Sequence, residues 1–164
     1  MVLPNEALTW DGYINKQEKI IGLLYGASTI NKHGCGPIAA YNALITLGKK
    51  QPFESVLKYF EKTSVKYIQS GTTVLQILGF MRLNGIRVKL HFNNYTLENK
   101  SKGIIWYKSK NGWHYVAYVS NGSIGNYNFY NAGGEYGPVV ETMGNFLKKY
   151  STSKIYTIFE LKGA

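Results

Sequence analysis

One cysteine, Cys35, stands in the run Asn31-Lys32-His33-Gly34-Cys35-Gly36-Pro37, where a glycine-flanked loop opens onto an apolar stretch. A cysteine at the start of a helix meets unpaired N–H groups and the positive end of the helix dipole. Both favour thiolate over thiol and lower the cysteine pKa. The same N–H groups can donate to an oxyanion as a carbonyl carbon becomes tetrahedral, and the glycines let a substrate backbone approach. A cysteine that only fills a core would sit further along, among Ala39, Ala43 and Leu44, so the position favours a nucleophile.

A thiolate nucleophile needs a base, usually histidine, held by a third group. Three histidines compete. His91 alternates with Arg87 and Lys89 and is expected on a solvated basic face. His33 is two residues from Cys35 on a tight loop, a spacing that rarely aims an imidazole at the neighbouring thiol. His114 follows the Asn111-Gly112 turn at the start of an apolar strand and is the expected base. Asn131 follows Tyr127–Tyr130 directly and precedes Gly133-Gly134. If the strands from Trp113 and Tyr127 form a hairpin, Asn131 lands at the His114 end of the sheet. Its side-chain amide oxygen would then accept from the ring N–H and select the tautomer. Asn126 and Asn128 lie nearer the hairpin tip.

The elements that must position these groups divide the chain into a helical first half and a strand-rich second half, which argues an α+β fold. The spacing predicts a helix over Gly36–Leu47, with Pro37 in the first turn and Gly48 just past the end. It is apolar nearly all round, hence central and buried. Further helices start near Pro52 and after Thr72, the latter stopping at Asn84-Gly85. Period-2 alternation then predicts strands over Ile86–Phe92, Gly103–Tyr107, Trp113–Val119 and up to Tyr130. A short helix over Val139–Tyr150 and a last strand over Lys154–Leu161 close the chain.

The chain has 164 residues, fits one domain over 1–164, and is 45% hydrophobic with 14 Tyr. Its net charge of +10 is spread over scattered lysines. With no Arg-rich run and no aromatic RNA-binding signature, nucleic acid is not the favoured partner. A single cysteine permits no intrachain disulfide. No metal-ligand spacing, Walker loop or dinucleotide glycine pattern is present, so no metal and no cofactor is expected. No stretch is long and apolar enough to span a membrane. MVLPNEALTWDG lacks the basic and apolar regions of a signal peptide. A cytoplasmic protein, or a fragment released from a larger precursor, is expected.

The segment from His33 through Cys35-Gly36-Pro37 to Leu44 resembles the nucleophile helix of papain-like cysteine peptidases of the C39 type. Trp113-His114-Tyr115-Val116-Ala117-Tyr118 is similar to their histidine strand, and Asn128-Phe129-Tyr130-Asn131 to the strand ending in their Asp or Asn. The resemblance implies a papain-like α+β fold with N-terminal helices and a C-terminal antiparallel sheet. It also implies a Cys35–His114–Asn131 triad cleaving peptide or isopeptide bonds through a thioester. Members of that family usually place a glutamine before the cysteine as an oxyanion donor. Here Thr29 and Asn31 occupy that neighbourhood, and the Asn31 amide is the expected substitute. Peptide or protein substrates follow, with an inhibitor or immunity-type protein as a further partner. Two other functions fit the same residues: a papain-fold toxin or acyl transferase acting on a macromolecule, and a non-catalytic module that binds a peptide in the cleft.

Overall fold

A computed structural model describes residues 1–63 and 71–163. The N-terminal segment makes two 3-10 turns, Asn5–Ala7 and Gln17–Lys19, and a small hairpin of β1 (Leu24–Tyr25) and β2 (Ser28–Thr29). A one-turn helix, α1 (Ile30–His33), is joined by Gly34 to α2 (Cys35–Thr46). α2 is buried continuously from Gly36 to Leu44, as its all-round apolar sequence requires. The exception in chemistry is Asn42, fully buried and satisfied by the N-terminal segment. Its Oδ1 accepts from Ile14 N at 2.8 Å and its Nδ2 donates to Ile14 O at 2.8 Å. An amide buried inside a helix thus ties the N-terminal segment to α2.

The next two helices cover one side. α3 (Phe53–Thr63) buries Phe53, Val56, Leu57 and Phe60 at helical spacing. α4 (Val74–Leu83) begins at a capping box in which Thr73 and Gln76 satisfy each other's backbone N–H groups. β3 (Arg87–Phe92), β4 (Lys102–Ser109), β5 (Gly112–Ser120), β6 (Asn126–Tyr130) and β7 (Val139–Thr142) follow, then α5 (Met143–Tyr150) and β8 (Tyr156–Lys162). The sheet order is β3-β8-β4-β5-β6-β7, antiparallel at every pairing. The protein is therefore mixed α+β with an antiparallel sheet.

Strand alternation splits the core in two. Ile104, Tyr115 and Phe159 pack with α2, α3 and α4, whereas Ile105, Val116 and Ile158 join the cluster that holds Phe146 of α5. Phe146 stacks on Phe129 with ring centroids 3.8 Å apart. Eight of the tyrosines among the described residues are buried, so much of the tyrosine content serves packing. No helix among the described residues is long and apolar enough to cross a membrane.

Two expectations need correction. The helix over Val139–Tyr150 begins only at Met143, because Val139–Thr142 pairs with β6 as β7. The β-branched pair Val139-Val140 suits an edge strand. Thr142 then caps α5, its hydroxyl accepting from Asn145 N at 3.1 Å. His91 is not solvated: it is buried, with Nε2 2.9 Å from Glu160 Oε2. β8 inserts between β3 and β4 and places Glu160 diagonally from His91 on the same face. Burial pushes the Glu160 carboxyl up, but the Glu98 N–H, His91 and Lys162 together hold it below the usual carboxylate range.

Candidate functional site

Cys35 is the first residue of α2, and its own N–H has no backbone acceptor among the described residues. Gly34 makes the tight junction with α1 possible, since a methyl there would lie 2.6 Å from Ile30 O. The helix mouth abuts the β6-facing edge of β5. β6 pairs with β5 only as far as Ala117↔Tyr130, which leaves the β5 edge open at Tyr115. The thiol occupies that opening and receives the backbone N–H groups of Tyr115 and Gly36.

The Cys35 thiol and the His114 ring are hydrogen-bonded. Burial raises the thiol pKa, but the hydrogen bond and charge of His114, with the two N–H groups, outweigh it, and the net shift is downward. Burial lowers the imidazole pKa, and the hydrogen bond and negative charge of Cys35 overcome that, so the net shift is upward. The opposed shifts favour movement of the proton from the thiol toward the imidazole. Of the three histidines, His114 is the one that meets Cys35 in this way.

His114 Nε2 lies 2.7 Å from the backbone oxygen of Asn131. A carbonyl can only accept, so Nε2 carries the hydrogen and Nδ1 is left for the thiol. Asn131 is thus brought to the histidine as expected, but with a different atom. Its side chain is turned away: Oδ1 accepts from Gln17 N at 3.1 Å and Nδ2 donates to Gln17 Oε1 at 2.9 Å. The backbone takes a positive φ of 64°, a conformation asparagine tolerates better than most residues. Its N–H donates to Asn15 Oδ1 at 2.9 Å. The N-terminal segment therefore clamps Asn131 in the turn that aims its carbonyl at His114. Asn15 and Gln17 carried no sequence signal for this, being 116 and 114 residues from their partner.

Asn31, the expected oxyanion donor, lies on α1, one turn before Cys35. Its Oδ1 and the Thr29 hydroxyl are the two buried side-chain polar atoms without a partner among the described residues. Both belong to the segment leading into Cys35. The Asn31 amide is not engaged elsewhere among the described residues.

Thr72 completes the wall. Its Oγ1 is 2.7 Å from Tyr25 OH, and its carbonyl accepts from Tyr115 OH at 3.1 Å. A methyl on Gly36 would lie 2.2 Å from Thr72 Cβ, so glycine is required by close approach. Gly36→Ala is expected to displace Thr72 and cost about 1–3 kcal/mol. It should also slow alkylation of Cys35 by disturbing the Gly36 N–H. Thermal melts and iodoacetamide labelling of the variant check both effects, and unchanged values in both would refute the close-packing account.

No group of His, Cys, Asp or Glu among the described residues is arranged to hold a metal ion. No protein-family model matches the chain, and no curated protein matches it.

Proposed function

We propose that the protein is a papain-like cysteine hydrolase that cleaves a peptide or isopeptide bond at Cys35. The observation that carries this reading is the Cys35–His114 hydrogen bond at a helix mouth, with the thiol pKa lowered and the imidazole pKa raised. A cysteine-bearing helix packed on an antiparallel sheet that supplies the histidine also supports the papain-like comparison.

In the proposed reaction the Cys35 thiolate attacks the substrate carbonyl carbon, and the developing oxyanion accepts from Cys35 N–H and the Asn31 amide. As the C–N bond breaks, the His114 imidazolium gives its proton to the leaving amine, and a thioester remains on Cys35. His114, now neutral, takes a proton from water as the water oxygen attacks the thioester. The C–S bond then breaks, releasing the acid and restoring the thiolate–imidazolium pair. The Asn131 carbonyl holds the ring throughout and exchanges no proton.

The test is a blocked peptide library incubated with wild type and Cys35→Ala, with products read by mass spectrometry. The reading expects cleavage by wild type, a thioester trapped on Cys35 and no cleavage by the variant. Equal cleavage by both proteins would remove Cys35 from the chemistry.

A further inference from the structure

A groove of about 540 Å³ runs between the N-terminal segment and the loop at Glu135–Pro138, apart from the Cys35 helix mouth. Its size is within the range of ligand clefts. Trp10 and Tyr136 stand on it 98% and 96% exposed, which leaves two large aromatic rings unpacked by the rest of the chain. Such rings bury their area only when something docks on them.

The charge of the groove opposes that of the chain. Lys and Arg outnumber Asp and Glu by 19 to 9, yet three of those nine carboxylates, Glu6, Asp11 and Glu135, line this groove. Among the described residues, Lys16 is the only basic side chain lining it. None of the three carboxylates is in an ion pair among the described residues. Asp11 accepts from the Thr9 hydroxyl, a neutral donor.

The groove is also rigidly backed. Asn15 on its floor donates to Gly137 O at 2.8 Å, linking the two segments that form its walls. The stacked rings of Tyr13 and Tyr130, 3.8 Å apart, brace the same side.

We propose that this groove docks a basic, Lys/Arg-rich peptide segment of a protein partner. The exposed rings take the cationic side chains on their faces, and the carboxylates pair with the charges. Carboxylates placed on both walls match several cations carried on one chain, which favours a peptide over a single small amine. Docking does not require turnover at Cys35, so the two proposals stand or fall separately.

The experiment is isothermal titration of the Cys35→Ala protein and of wild type with a blocked hexapeptide alternating Gly with Lys or Arg. A matched peptide with Glu at the charged positions serves as the control. The basic peptide is expected to bind both proteins and to bind more weakly with added salt, as the screening length shortens toward the contact distance. The Glu6→Gln/Asp11→Asn/Glu135→Gln variant should bind it about tenfold more weakly, and Trp10→Ala should lose a comparable amount. All four side chains are exposed, so these variants should keep the wild-type melting temperature. No measurable binding of the basic peptide, or binding unaffected by both variants, overturns the proposal. Glu-peptide binding that the triple variant reduces would also overturn it, since the groove would then select by something other than cations.

Discussion

Cys35→Ala is expected to abolish turnover, and His114→Ala to match it, each by on the order of 10⁴-fold or more, because the pair acts as a unit. The same pair sets reactivity before any substrate is known. At pH 6 an ordinary thiol of pKa about 8.5 is only about 0.3% thiolate. Cys35, with its pKa held down by His114 and by the Tyr115 and Gly36 N–H groups, should be alkylated by iodoacetamide far faster than that. In His114→Ala the upward push of burial is opposed by the two N–H groups alone, so labelling at pH 6 should slow sharply. His33→Ala should leave the rate unchanged.

The pH profile follows from the signs. The thiol loses its proton below the usual thiol range, and the imidazolium keeps its proton above the usual histidine range. Labelling should therefore persist into mild acid and fall only when the pair takes up a proton. Turnover should fall on the alkaline side as well, where the imidazolium that protonates the leaving amine is lost. The two limbs belong to the coupled pair rather than to one residue each. If His33→Ala and His114→Ala slow labelling equally, the base is reassigned.

Asn131→Gly is expected to retain much more activity than Asn131→Val. Glycine adopts the positive φ of 64° without strain and keeps the carbonyl that accepts from His114 Nε2. It loses the side-chain bonds to Gln17, so turnover should fall by about tenfold from a looser turn. A β-branched residue is strained at that φ by about 1–3 kcal/mol and should swing the carbonyl away. In Asn131→Val, turnover should fall by about 10²-fold or more, with a shifted pH profile because Nε2 loses its acceptor. Were the side-chain amide the orienting group, both variants would lose it and should fall together. Measuring kcat, KM and the pH profile of both variants separates the two cases, and equal losses would sink the carbonyl assignment.

The placement of Cys35, His114 and Asn131 was legible because its signals are local. Gly34-Cys35-Gly36-Pro37 before an apolar run places a thiol at a helix mouth by backbone rules alone. Asn111-Gly112 with alternating apolar residues places His114 at the start of a hairpin strand, and the next hairpin brings Asn131 back toward it. The strand Val139–Thr142 was hidden because four residues running straight into a helix are too few to show period-2 alternation.

What only the tertiary structure decided is which atoms meet. Asn131 offers its carbonyl rather than its amide because Asn15 and Gln17, from the other end of the chain, capture its N–H and side chain. That segment is itself held by Asn42, buried in α2, through both polar groups of Ile14. His91 is buried rather than solvated because the last strand inserts beside it and carries Glu160. The carboxylates of the groove come together from positions 6, 11 and 135. Each of these contacts joins residues far apart in the chain by side-chain complementarity, which follows no sequence period. Periodicity and capping act over a few residues and determine where a helix or strand begins. The partner of a buried polar atom such as the Asn131 amide is set by whichever distant group the packed core brings within hydrogen-bond reach, because leaving it unpaired carries a desolvation cost.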